Sequence, residues 1–173
     1  MSEVVSVNVP RPVDPVGRVL DALCRLFAIG SGLMLLAMAL MSVYSIVGRS
    51  LLDAPVLGDY ELVQMMSAVA VTMALPWCQM VNGHVIVDFF TARAGARTNA
   101  VLDAMAALLL AICAFALAWR TTVATIEFMS NRDASMLLNL PTWWGYLPMG
   151  PSFLLLGLVA LYTLWQQIGK ATQ

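Results

Sequence analysis

What this sequence has little of narrows its function before anything it holds in abundance. It contains one histidine, His84, in 173 residues, so a haem held by paired histidines within the chain is excluded. Its three cysteines, Cys24, Cys78 and Cys113, form no CxxC pair, and an odd count argues against a disulfide framework. They read as free thiols in apolar surroundings. Nothing in their spacing, or in that of His84, gathers the three or four ligands a zinc site needs. No GxSxG, HExxH or P-loop pattern occurs. These absences support neither an enzyme nor a metal or cofactor carried by this chain. Charge is also scarce. Charged residues make up 11%, about half the share of a soluble domain. A net charge of −1 with no basic run offers nucleic acid no footprint.

Apolar residues are what the chain does have, at 61%. Four uncharged or nearly uncharged runs, about 26–47, 62–81, 101–122 and 146–165, are each long enough to cross a hydrocarbon core of about 30 Å as a helix. The expected fold class is therefore an all-α integral membrane protein. It has four transmembrane helices within one membrane domain, 16–168. Residues 1–15, with Pro10, Pro12 and Pro15, read as a disordered tail, and 169–173 as a short C-terminal tail. The first apolar run starts too late and runs too long for a cleaved signal sequence, so the first span is expected to stay. No internal repeat is visible.

Between residues 16 and 27, Val16, Val19, Leu20, Leu23, Leu26 and Phe27 recur at three- and four-residue steps, with Arg18, Asp21 and Arg25 mostly between them. That is a short N-terminal amphipathic helix. It could lie along the membrane surface or extend the first span into water; periodicity leaves both open. Pro76, near the far end of the second span, removes a backbone donor and predicts a kink. Residues 127–141 read as a polar connection. Trp143, Trp144 and Tyr146 open the fourth span as an interfacial aromatic cluster.

Two stripes of small residues stand out. Ser67, Ala70 and Ala74 share one face of the second span, and Ala107, Ala111, Ala114 and Ala118 share one face of the third. In lipid, small residues let helix backbones approach closely, so both are expected to serve helix packing. Polar groups gather at the two mouths of the second span. Glu61 and Gln64 lie three apart at one end and could hold an interhelical partner together, or simply face headgroups. His84 and Asp88 lie four apart at the other and would pair along a helix. They could fix where the span ends or contact a neighbouring subunit. No ionisable group lies deep within a span, as a transport pathway would require.

Basic residues set the orientation. Arg11, Arg18, Arg25, Arg93, Arg97 and Lys170 fall on the side of the termini, against Arg49 and Arg132 on the other, with Arg120 near its interface. Both termini are expected in the cytoplasm.

Taken together, the motifs resemble a known family. GDYEL (58–62) at the entrance of the second span, ELVQMM within it, GHVIVD (83–88) at its exit and PTWWGYLPMGPSFLLLG (141–157) opening the last span are similar to the DctQ-type small membrane subunit of tripartite ATP-independent periplasmic (TRAP) transporters. The resemblance covers about 16–167. It implies sodium-driven uptake of organic acids (carboxylates) across the bacterial inner membrane. A large membrane subunit would carry the substrate and sodium sites, and a soluble periplasmic binding protein would deliver substrate transiently. The small subunit would pack on the large subunit's static scaffold in a stable heterodimer and help form the docking surface. Glu61, His84 and Asp88 match the family's acid, histidine and aspartate, and with Gln64, Trp143 and Trp144 they are expected to contact the partner or headgroups. Two other classes compete. A self-contained four-helix exporter acting as a homodimer would use Glu61 as its carboxylate, and a respiratory anchor would share haem ligands with another chain.

Overall fold

The structure, a computed structural model, describes residues 15–52, 58–81, 96–136 and 138–171; the side chains of 51, 52, 96–101 and 167–171 are not described. The described residues form five helices: α1 (Pro15–Leu52), α2 (Asp59–Met80), α3 (Ala96–Asn131), α4 (Trp143–Tyr146) and α5 (Met149–Ala171). Four segments are long and apolar enough to span a bilayer: within α1, α2 and α3, and from Trp143 through α5. The chain is an all-α membrane protein. The expected contacts of His84 and Asp88 lie outside the described residues, as do residues 1–14 of the expected tail.

Two helices outrun the expected spans. The amphipathic N-terminal segment is helical and continuous with the first span, the second of the two arrangements its periodicity allowed. At 1.5 Å per residue, the 38 residues of α1 reach about 57 Å, well past the hydrocarbon thickness. Its overhanging end is anchored because Leu20 and Cys24 are buried against Leu155, Val159 and Tyr162 of α5, with Phe27, Trp77 and Met80 around them. Arg25 lies over the Trp77 ring at 5.4 Å and pairs with Asp21 at 3.0 Å. At the end of α3, residues 127–131 are helical where a polar connection was expected. The helix stops at Arg132, which takes φ 54°, and the Asp133 amide donates back to the Phe128 carbonyl at 3.3 Å. This six-to-one bond with a left-handed residue before it is the Schellman stop, here without glycine.

Packing orders the array as α1, α2, α5, α3: α1 lies along α2, α2 along α5, and α5 along α3. The row does not close into a four-cornered bundle, so its outer members keep wide faces. Within the most apolar window of each, 6% of α1 is buried against 44% for the α5 span. At the α3–α5 seam, Ala107, Ala111, Ala114 and Ala118 are buried. Gly157 lies on the opposite side, where a Cβ would come within 3.0 Å of the Phe115 ring. Ala70 is buried at the α1–α2 seam, where the buried Ser31 hydroxyl donates to its carbonyl at 2.7 Å. Ser67 and Ala74 on the same face are half-buried, and the Ser67 hydroxyl turns back to the Gln64 carbonyl at 3.0 Å.

Pro76 lies fully buried within the unbroken α2. Lacking an N–H, it leaves the carbonyl four residues earlier, on Thr72, without its helical donor. The hydroxyl of Ser152, itself fully buried on α5, donates to that carbonyl. An orphaned acceptor in the bilayer core is thereby satisfied by the neighbouring helix, as hydrocarbon demands. The contact ties α2 to α5 at mid-span, and Gln79 adds a longer bond to the Thr163 hydroxyl at 3.5 Å.

Candidate functional site

Charged and polar side chains gather at one end of the array, where α1 ends, α2 begins and α3 turns into α4. Two clusters form there. In the first, Asp59 at the start of α2 accepts a hydrogen bond from the buried Ser45 hydroxyl of α1. Its other oxygen accepts the Tyr60 amide at 2.7 Å. Arg49, one turn beyond Ser45, approaches at 3.7 Å. An acid at a helix start and a base in the last turn of another each complement the helix dipole. Ser45, Arg49 and Asp59 thus join the α1 end to the α2 start with groups of matched sign. The exposed ion pair adds little; the buried serine sets the register.

In the second cluster, Glu61 reaches the connection between α3 and α4. It accepts the Ser135 hydroxyl at 2.6 Å and, at a longer 3.4 Å, the Leu138 amide. The connection is a tight hairpin. Ala134 bridges Pro141, Ser135 donates to the Leu140 carbonyl at 2.9 Å, and the Thr142 amide donates to Asp133 at 3.0 Å. Asn139 closes the turn at φ 52°. Below it, Gly58 opens α2 at φ 77°, and a Cβ there would lie 2.5 Å from Leu138 Cγ. A residue with a side chain would be both strained and blocked, so glycine is what the entrance requires. Met136 at the hairpin tip is almost fully exposed. The result is a pinned loop standing at the mouth of the second span.

Glu61 turns into this cap while Gln64 stays exposed. Trp144 is exposed and Trp143 half-buried, their rings edge-to-face at 6.1 Å, and Tyr146 meets Phe128 in a tilted pair with ring centroids 4.9 Å apart. Ser45, Ser135 and Ser152 were missed by sequence reasoning, which read Asp59 with Glu61 as an acid at the mouth of the second span but gave it no partner. For Asp59, an acid closely following Arg49 was a usable signal; the three serines gave none. Among the described residues no three His, Cys, Asp or Glu come together in a group that could hold a metal ion. The two clusters tie the end of α1 and the connection between α3 and α4 to the start of α2.

Removing the pin should loosen the cap alone. Glu61→Ala is expected to cost about 1 kcal/mol and to raise amide exchange across 133–142, leaving α1 and α5 protected. Unchanged exchange there would show that the hairpin holds itself.

Residues 38–170 match a protein family described as "Tripartite ATP-independent periplasmic transporters, DctQ component". No curated protein and no solved structure matches the chain.

Proposed function

Since the chain belongs to the DctQ component family of tripartite ATP-independent periplasmic transporters, we propose that it is the scaffold subunit of a sodium-driven uptake system for organic acids. The match over most of the chain carries this reading. Substrate and sodium sites would lie in a large membrane subunit bound stably to this one. This chain carries no catalytic group and no cofactor of its own in this proposal. The membrane is the bacterial inner membrane, with both termini cytoplasmic, following the excess of basic residues on their side. The cap of Asp59, Glu61 and the 133–142 hairpin then faces the periplasm, where a rigid, displayed loop suits transient contact with the binding protein. His84 and Asp88 would sit at the cytoplasmic exit of the second span as contacts to the partner or headgroups.

The open row leaves one face suited to the large subunit. Along α1, Leu26, Ile29, Leu33, Leu36, Leu40, Val43 and Val47 repeat at alternating three- and four-residue steps, each at least 46% exposed. That is the heptad seam of a helix meeting another at a shallow angle. Lipid places no such demand on spacing. Leu33→Ala, Leu36→Ala and Leu40→Ala combined are expected to lower recovery of the large subunit about tenfold, a loss of about 1.4 kcal/mol, without lowering the chain's own thermal midpoint. Unchanged recovery would assign this face to lipid. The function itself is tested in proteoliposomes holding both membrane subunits. Uptake of a carboxylate should require the binding protein, an inward sodium gradient and this chain, and uptake without this chain would overturn the proposal.

A further inference from the structure

Arg120 lies much deeper than the end of a span, where hydropathy places it. Hydropathy closes the third span near residue 122 and leaves no charge deep within any span, but α3 stays helical to Asn131. That is eleven residues, or about 17 Å, past Arg120. The neighbouring helices fix the depth. Phe115 lies against Gly157, and the Thr122 hydroxyl against Gly150, so α3 runs antiparallel to α5 and Arg120 falls level with Ser152. Ser152 in turn meets the Thr72 carbonyl. Thr72 stands about 20 Å from the start of α2 at Asp59 and about 12 Å from its end at Met80. Arg120 therefore branches from the middle of the membrane. Charged side chains at such depth face protein or a water-filled cavity.

The rest of the described chain does not cover it. Arg120 sits on the side of α3 opposite Ala111 and Ala118, which are buried at the α5 seam, and its side chain is 71% exposed. Among the described residues its ion-pair partner is Glu127, two turns on, at 3.9 Å and itself 56% exposed. That gap is beyond hydrogen-bond length, so the five donors of the guanidinium remain to be met. Escape to the headgroups serves charges near helix ends. Arg120 instead has eleven helical residues on one side and the uncharged run Ala104–Trp119 on the other.

We propose that this face of α3 docks a transmembrane helix of the partner subunit that carries a carboxylate at the depth of Arg120. The inference rests on the reading of this chain as half of a heterodimer, and the partner then meets both edges of the row, α3 as well as α1. Charge selects the occupant. Lipid tails offer a guanidinium no acceptor. A second copy, related by an axis along the membrane normal, would set Arg120 against Arg120 and Glu127 against Glu127. A carboxylate matches the guanidinium fork with two parallel hydrogen bonds. Ala116 and Ala124, one turn to either side on the same face, are small enough for a helix to come close. The α1 seam supplies packing, and Arg120 fixes the depth at which the partner sits.

The test is recovery of the large partner with the tagged chain, drawn from native membranes in mild detergent. Arg120→Leu should lower recovery about tenfold, and Arg120→Lys less, since lysine keeps the charge without the fork. The thermal midpoint of the isolated chain should not fall, because an exposed charge on the outer face gives way to an apolar side chain. Full recovery with Arg120→Leu, from a wild type that holds its partner, would overturn this proposal alone. A wild type that holds no partner would overturn the heterodimer as well. Should Arg120→Leu not accumulate, a photo-crosslinking residue at position 116, activated in intact membranes, decides the matter. An adduct on a membrane-spanning segment of the partner that contains Asp or Glu supports the proposal. An adduct on phospholipid, on a second copy or on a segment without an acid refutes it.

Discussion

Ser152→Ala is expected to destabilise the chain by about 1–3 kcal/mol, more than the ~0.6 kcal/mol typical of an interhelical hydrogen bond in a membrane protein. The excess follows from Pro76. Most carbonyls within a span keep their own helical donor when a neighbour's hydroxyl is removed. The Thr72 carbonyl has none, because residue 76 has no N–H, and the Ser152 hydroxyl is the donor that reaches it. The two positions must therefore be coupled. In a Pro76→Ala background the restored N–H can meet Thr72, and Ser152→Ala should then cost well under half as much. A double-mutant cycle on thermal midpoints in one detergent reads this directly. Additive effects would show that Thr72 is satisfied some other way.

The second large effect is expected at the α3–α5 seam. Ala111→Leu and Ala114→Leu each place three extra carbons where the wild-type residue is at most 2% exposed. Overpacking of this kind costs about 1–3 kcal/mol per site. Here the helix that must move is already within contact distance of Phe115 through Gly157. Separation of α3 from α5 should appear as a lowered thermal midpoint and easier proteolysis. Ala116→Leu, on the exposed face of the same helix, should change stability by less than about 0.5 kcal/mol. Equal tolerance at 111, 114 and 116 would mean that the seam is not close-packed.

The four spans were legible because bilayer thickness imposes a length on any uncharged run, and that constraint needs no knowledge of neighbours. Helix ends were less legible for the same reason. Hydropathy reports where lipid stops, while backbone hydrogen bonding carries α1 and α3 onward into polar sequence. Only packing reveals why the overhang of α1 is stable: Leu20 and Cys24 find α5 beside them. The kink expected at Pro76 rested on local chemistry alone. The sequence could say that a carbonyl loses its donor, but not that a serine 80 positions away would supply another, since that depends on the order α1, α2, α5, α3 across the array. Glu61 illustrates the same limit. Its spacing from Gln64 suggested a shared face, yet Glu61 is drawn to Ser135 and Leu138, partners from a hairpin whose position follows from the third and fourth spans. The family, by contrast, was carried by short motifs at span mouths, which need no tertiary knowledge to be read.

The central claim is that this chain works as one half of a membrane heterodimer, and the most direct test is recovery of the tagged chain from its native membranes in mild detergent, with co-purifying proteins identified and weighed. The account predicts a one-to-one complex with a much larger multi-spanning protein, stable through size-exclusion chromatography. Recovery of the chain as a homo-oligomer with no such partner would contradict it and would return attention to the self-contained exporter, with Glu61 as the group to titrate.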